Sequence, residues 1–399
     1  MIKAVLLDLD DTLLRANTEA FVKEYLRIAD EFFMLRWGDA GRVSQAIVDG
    51  ARRIMTNQPR SIEMLNSDVM MEALVETTGQ SVDEIQAAFD AFHQSVHPIL
   101  KRCTNPMADA PALVQYLKDQ GYAVVIATNP VYAADATFQR LSWAGLPPAD
   151  SFALVTHSGN MHFAKPDPAY YAEIVARIGV EPDEAVMVGD SLRNDIEPAA
   201  RLGMNTYYIP VDGDMAGHEA AGTLHDLYVH VREQEWLDNL LPPPISPPIV
   251  EPEMQGNVGA LFGMLGDVKP HYWDQHPDPN EWSIMQIVCH LMESERTVQR
   301  PRLQRILAED NPFLVAPHPP PGPKEAGACE RDGMNAARGF AHERQQTIEW
   351  LRNLAPEDWG RRARHSIFGP TSLLEMAHFT AQHDRLHLNQ LCRTLGRCQ

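Results

Sequence analysis

The stretch Val5 to Leu14, VLLDLDDTLL, constrains this chain more than any other part of it. A run of apolar strand formers that stops at clustered acids is the pattern of a buried parallel strand. Such a strand delivers carboxylates to its C-terminal edge, where the ligands of open α/β sheets collect. Asp8 and Asp10 stand two apart and so point to the same side of the strand. A pair of this kind can hold a divalent cation and divide nucleophilic from acid/base work. An acidic strand-to-helix turn without chemistry has the same local pattern, so the later strand ends must decide between the two.

After Thr12 the pattern turns helical and stays so from about Asn17 to Gln94, with Ser61 and Ser81 as expected N-caps, the latter in the capping-box form S-V-D-E. An all-helical insert over about 15–100, directly behind an acidic strand end, reads as a cap that excludes water and selects substrate. The alternation of strand and helix then resumes. A helix near 108–120 leads into the strand YAVVIATN, which ends at Thr128 and Asn129; a helix over 131–144 precedes a short strand at 152–155. Lys165-Pro166 opens a further helix. The strand at 185–188 runs into Gly189-Asp190 and a helix carrying Asp195, and NTYYIP supplies a last strand. This repetition predicts a doubly wound parallel α/β sheet. Taken singly, Thr128 could cap a helix, Lys165 could be a solvated charge and Asp190 a turn residue. Four polar strand ends in succession are harder to assign to chance.

These motifs, in this order over about residues 1–235, resemble the haloacid dehalogenase superfamily. Asp8-Leu9-Asp10-Asp11-Thr12 matches its first motif, Thr128 its second, Lys165 its third, and Gly189-Asp190 through Asp195 its fourth. The resemblance implies a phosphatase in which Asp8 is the nucleophile and forms an aspartyl-phosphate, while Asp10 protonates the leaving oxygen and later activates water. It implies Mg²⁺ held by Asp8, the Asp10 backbone carbonyl and Asp190. Thr128 and Lys165 would hold the phosphoryl oxygens, and Asp195 would orient Lys165 or a metal-bound water. Members that attack carbon lack an acid at the Asp10 position, because a halide needs no proton; Asp10 therefore favours phosphoryl chemistry. The substrate implied is a small phosphorylated metabolite. Arg52, Arg53 and Arg60 in the cap are candidate anion contacts, although a solvated helix face is the simpler reading of all three.

LPPPISPPIVEP, residues 241–252, holds six prolines in twelve positions and reads as a semi-rigid spacer. The expected domains are thus 1–240, with the cap inside it, and 253–399. A second proline-rich stretch, 311–323, reads as a long loop. The back domain reads as all-helical, with segments near 253–267, 283–309, 333–354 and 371–395, which suggests an antiparallel four-helix bundle. Ser283 and Gln286 form a capping box at the second segment, with Trp282 placed to staple against Ile287.

Nine of the sixteen histidines fall in this back domain. His383 and His387 are four apart in HFTAQHDRLHLNQ and share one helix face, so they could chelate one ion. His378 lies about 140° around the helix from His383 and is poorly placed to join them. A third ligand must come from another helix, and His290 in IMQIVCHLMES is the candidate, although a hydrogen-bonded core histidine would look the same. His290 together with His383-Asp384-Arg385-Leu386-His387 resembles the DinB-like metal-binding bundles over about 255–395. That resemblance implies a three-His site for Zn²⁺ or Ni²⁺ with an open position. It allows a thiol-dependent transferase or isomerase, or a non-catalytic bundle that binds a partner or pairs into a homodimer.

Composition limits the alternatives. The formal net charge of −20 is concentrated in residues 1–252, with 18 basic against 36 acidic side chains, whereas 253–399 hold 16 against 18. An acidic front argues against general nucleic-acid binding, which needs clustered cations. The five cysteines are odd in number and contain no C-x-x-C pair, so reduced thiols in a cytoplasm are expected, with Cys289 and Cys392 as buried structural thiols. Strand formers begin at Ile2, which leaves no room for a signal peptide, and no apolar run reaches membrane-spanning length.

Overall fold

The computed structural model describes residues 1–398 except 212, 214, 216, 219, 267 and 317–331, and the side chain of Cys398. The chain divides into two compact units, Met1–Tyr171 with Val180–Pro243, and Ala172–Gly179 with Pro244–Gln399.

The first unit begins with β1 (Ala4–Leu7), buried at every position, followed by β2 (Leu14–Ala16). Four helices come next: α1 (Thr18–Trp37), α2 (Ser44–Met55), α3 (Asn66–Thr78) and α4 (Val82–Ser95). Then β3 (Thr104–Pro106), α5 (Ala110–Asp119), β4 (Ala123–Ile126), α6 (Ala134–Trp143), β5 (Leu154–Val155), α7 (Pro168–Ile178, grouped with the second unit from Ala172 on), β6 (Ala185–Gly189), α8 (Glu197–Arg201), β7 (Asn205–Tyr208) and α9 (Leu224–Glu233) follow. The five-stranded sheet runs β5-β4-β1-β6-β7, with every pair parallel. β1 lies in the middle, with Leu7 level with Ile126 of β4 and Val188 of β6. The chain leaves β1 toward one edge and later returns to the other side of it. Asp8 is thereby carried to the switch point where doubly wound sheets bind ligands.

The helices α1–α4 stand between β2 and β3, which pair antiparallel, Leu14 with Pro106 and Ala16 with Thr104. This two-stranded stem is a feature that the helical pattern of 15–100 does not disclose. Ser81 caps α4 as expected: Glu84 N donates to Ser81 Oγ at 3.3 Å, and Ser81 N donates to Glu84 Oε2 at 3.1 Å. Ser61 does not cap a helix. α3 begins only at Asn66, where Asp68 receives the Leu65 N–H at 2.8 Å. An aromatic cluster binds the helices together, with Phe33 4.5 Å from Phe89 and Tyr25 5.6 Å from Phe92 between ring centroids. Offset and edge-on pairs of this kind add roughly 0.5–1.5 kcal/mol each beyond their burial.

In the second unit, α10 spans Pro247–Leu265, so the spacer expected over 241–252 is shorter than its proline content suggests. Proline is tolerated in a first helical turn, whose N–H groups have no intrahelical partner. Burial of Ile249, Val250, Met254 and Leu261 outweighs the one bond lost at Pro252. α11 (Ile284–Ser294) passes through a π turn at Glu295–Gln299 into α12 (Arg300–Ala308). β8 (Phe313–Leu314), α13 (Gly333–Arg352), β9 (Arg362–His365), β10 (Gly369–Ser372) and α14 (Leu373–Cys398) complete the unit. α10, the α11–α12 rod, α13 and α14 pack as a four-helix bundle around Met254, Leu303, Ile306, Ile348, Leu373 and Met376.

The all-helical expectation is corrected by a three-stranded sheet, order β10-β9-β8. Its segments, such as RARH and GPTS, carry no apolar run; β9 and β10 pair antiparallel, with Ala363 as the one β9 side chain in the apolar core. The proline-rich stretch 311–323 therefore begins with a strand, and from 317 onward it lies outside the described residues. Cys103 and Cys392 are free, the latter exposed rather than buried, whereas Cys289 is disulfide-bonded. Pairing depends on approach in space, which sequence spacing does not report. Cys329 lies outside the described residues. Among the described residues, no helix is long and apolar enough to cross a membrane.

Candidate active site and candidate metal centre

Asp8 continues the ladder of β1, its N–H donating to Val188 O at 2.9 Å, so the sheet itself fixes where its carboxylate points. Thr12 folds back and donates its hydroxyl to Asp8 Oδ2 at 3.3 Å. The turn that makes this possible passes through Asp11 at φ 57, a left-handed conformation that aspartate tolerates better than most residues. The Asp11 carboxylate accepts from Ala16 N and from Thr18 Oγ1, each at 3.1 Å, and ties the strand end to the start of α1.

Lys165 reaches the same point from the loop before α7. Its ammonium donates to Asp8 Oδ1 at 2.6 Å and to Asp195 Oδ1 at 2.6 Å, and all three side chains are buried. Asp195 stands in a π turn, Leu192–Ile196, that follows β6, and its second oxygen accepts the Ser191 N–H at 3.0 Å. The close approach of that turn to Gly189 requires glycine, because a Cβ at position 189 would lie 2.4 Å from Asp195 Cγ.

Asp190 completes a group in which carboxylate oxygens of Asp8, Asp190 and Asp195 all lie within 4.8 Å of one another. Burial raises Asp8 well above the usual carboxylate range; Lys165 opposes this, and Asp195, Asp190 and Asp10 reinforce it. Burial alone would lower Lys165, but Asp195 and Asp8 outweigh it and hold the ammonium above its ordinary value. Asp190 is pushed up to about 7, first by burial and then by Asp195 and Asp11. Three clustered carboxylates against one ammonium leave negative charge unmatched. An oxygen-only donor set with that excess suits a small hard divalent cation.

Thr128 follows β4 and is buried. Its carbonyl accepts from Thr156 Oγ1 at 2.7 Å and from Tyr170 OH at 2.9 Å, bonds that pin the segment facing Asp8. Asp10 is only half-buried, and its carboxylate is paired with Arg140 of α6. That guanidinium is 1% exposed and lies over Tyr132, 4.9 Å from its centroid. Arg140, Thr156 and Tyr170 were not singled out from the sequence. The only signal for Arg140 was a cation on the apolar face of α6, beside Ala136, Thr137 and Leu141. Of the three cap arginines, Arg52 alone lines the cavity next to Asp8, and it is paired with Asp49. Arg53 pairs with Asp49 and Glu76, and Arg60 bonds Asn66 and the His162 carbonyl.

The second unit brings together His290, His383 and His387, with one ring nitrogen of each within 4.8 Å of the others. Burial lowers His290 to about 3, and the other two rings add to the effect. His387 falls to about 4, again through burial first and His383 next. Neutral imidazoles are the form that ligates metal. His387 Nδ1 faces Gln390 Oε1 at 3.0 Å, a contact that sets the ring. Trp282 lies stacked on His387 at 6.1 Å and 5.0 Å from His290, so its ring packs on the histidine cluster. Asp384, next to His383, is buried and held by Arg344 NH2 at 2.8 Å. His378 stands apart from the cluster, bonded to Glu253 at 2.9 Å.

Comparison with known proteins also divides the chain into two parts. Residues 2–203 match the model of the haloacid dehalogenase-like hydrolases, and the chain belongs to that family; residues 259–391 match the DinB superfamily. The protein is therefore a hydrolase that carries a DinB-type bundle. Among curated proteins, the glyceraldehyde 3-phosphate phosphatase of Methanopyrus kandleri is 28% identical over 211 residues, covering 52% of this chain and 84% of that one. The phosphoserine phosphatase of Thermus thermophilus is 26% identical over 257 residues, covering 57% and 98%. Among solved structures, a HAD phosphatase from Thermococcus onnurineus is 23% identical and covers 58% of this chain and 98% of that one, with a TM-score of 0.37.

Proposed function

We propose that the first unit is a Mg²⁺-dependent phosphatase of a small phosphorylated metabolite, acting through an aspartyl-phosphate on Asp8, and that the bundle binds Zn²⁺ or Ni²⁺ through His290, His383 and His387. The observation that carries the phosphatase reading is the bridge from Lys165 to Asp8 and Asp195 at 2.6 Å each, set beside Asp190 where the adjacent strands β1 and β6 end.

In this reading an Asp8 carboxylate oxygen attacks phosphorus and the ester P–O bond breaks. The leaving alkoxide takes a proton from Asp10, which must first swing clear of Arg140. Deprotonated Asp10 then removes a proton from water. That water attacks the aspartyl-phosphate, releasing orthophosphate and restoring Asp8. Lys165 and Thr128 hold phosphoryl oxygens, and Asp195 keeps the ammonium in place. Asp8, the Asp10 carbonyl and Asp190 would hold Mg²⁺, whose charge offsets that of the phosphoryl oxygens. Hydrolysis of an aryl phosphate by the full chain tests the reading. Turnover that needs both Mg²⁺ and Asp8, and is lost in Asp8→Asn, is expected; turnover that survives Asp8→Asn contradicts it.

A further inference from the structure

The nucleophile end of the site opens into a cavity of about 670 Å³ between the sheet edge and α1–α4. That is the size of pockets that take drug-sized ligands, and a phosphoryl group on a two- or three-carbon acid fills a small part of it. The chemistry of the walls is one-sided. Facing the catalytic carboxylates across the cavity are Phe21, Tyr25, Met70, Met71, Leu74 and Phe89. Val48 and Met55 form its exposed rim, 45% and 39% accessible.

On the cap side the polar contributions are few: Thr18, Ser67, Gln86 and His93, with Arg52 as the one charged group. The Arg52 side chain is 60% exposed and already paired with Asp49. A substrate with a second acidic group needs a cation or a set of donors to receive it, because an unpaired charge against apolar walls is costly. Apart from Arg52, already paired, the cap lines the cavity with no cation, and its other polar side chains stand on three separate helices rather than as one set of donors. An aliphatic or aromatic chain, by contrast, would leave water along the whole length of the cavity, and the two methionines can adapt to its shape.

Resting on the phosphatase reading, we infer that the substrate is a monophosphate ester of an apolar alcohol, with the hydrocarbon lodged against α1–α4 and no second charge. The test is kcat/KM of the full chain with Mg²⁺ for ethyl, butyl and hexyl phosphate, beside phosphoserine and phosphoglycolate, and a parallel measurement of binding by ethyl- and hexylphosphonate from the shift in melting temperature. Each methylene sheltered from water should raise kcat/KM roughly fourfold, so hexyl phosphate, four methylenes longer, should exceed ethyl phosphate by roughly 250-fold and outrun both acidic esters. Val48→Asp/Met55→Asp, at exposed positions that leave the core intact, should flatten that slope.

Asp8-dependent turnover that favours phosphoserine or phosphoglycolate, or that ignores chain length, overturns the inference and leaves the phosphatase reading standing. If no ester turns over, the phosphatase reading fails and the phosphonates decide: a larger shift with hexylphosphonate supports the apolar pocket, and equal shifts overturn it.

Discussion

Lys165→Met isolates the energetic centre of the first unit. The wild-type ammonium is shared by Asp8 and Asp195 at 2.6 Å each, with side chains 2%, 9% and 2% exposed. Removing one member of a buried ion pair costs about 3–5 kcal/mol, because the remaining charge has neither water nor partner. Here two carboxylates lose the same cation, so the upper part of that range applies. For a unit of this size each kcal/mol moves the melting temperature by roughly 2–4 °C, so a loss of about 4–5 kcal/mol gives a fall of roughly 8–20 °C. Differential scanning calorimetry of the full chain in metal-free buffer separates the transitions of independent units. Lys165→Met/Asp195→Asn removes one of the stranded carboxylates and should recover at least half of the loss, a positive coupling in the double-mutant cycle. A Lys165→Met protein that melts within about 2 °C of wild type, or a double variant no better than the single one, would refute the claim that this lysine neutralises the acidic cluster.

Three further outcomes follow from the same structure. Gly189→Ala places a Cβ 2.4 Å from Asp195 Cγ, so it should cost about 1–3 kcal/mol and lower turnover more than KM, read by melting and steady-state kinetics. His97 is lowered to about 4, mainly by burial, and its ring stacks on Trp143 at 5.2 Å. Because the unfolded chain takes that proton near pH 6.5 and the folded one only near 4, stability should fall by up to about 3 kcal/mol as pH drops through that window. His97→Phe, which keeps the stack, should flatten the decline in a urea titration at each pH. His383→Ala should empty the bundle of bound metal, measured by elemental analysis of the full chain, whereas Asp8→Asn should leave that metal in place. A wild-type chain that binds none under metal-replete conditions would contradict the three-His site.

Much of the first unit is legible because its signals are local. β1, β4 and β6 are short apolar runs that end in Asp8, Thr128 and Asp190, and parallel strands buried on both faces must read that way. The pairing of His383 with His387 is equally local. What escapes is fixed by distant partners. Arg140 is a single cation whose partner Asp10 is 130 residues away, and its place on the apolar face of α6 marks it as buried without pointing to that partner. In the bundle, buried Arg344 lies 3.0 Å from Glu295 and 2.8 Å from Asp384, pairings across three helix segments that no local pattern announces. β9 and β10 are invisible because backbone pairing rather than an apolar pattern makes them. The proline count misled at Pro247, where a helix start needs the same residue that a spacer does.

The central claim is that Asp8 carries the phosphoryl group during turnover. Acid quenching of the full chain during hydrolysis of a generic aryl phosphate, followed by peptide mass spectrometry, tests it most directly. The expected result is one phosphoryl group on the peptide that contains Asp8, labile to hydroxylamine, absent from Asp8→Asn and more abundant in Asp10→Asn, where the second step lacks its base. Undiminished turnover in Asp8→Asn, or a phosphoryl group on any other residue, would contradict the account.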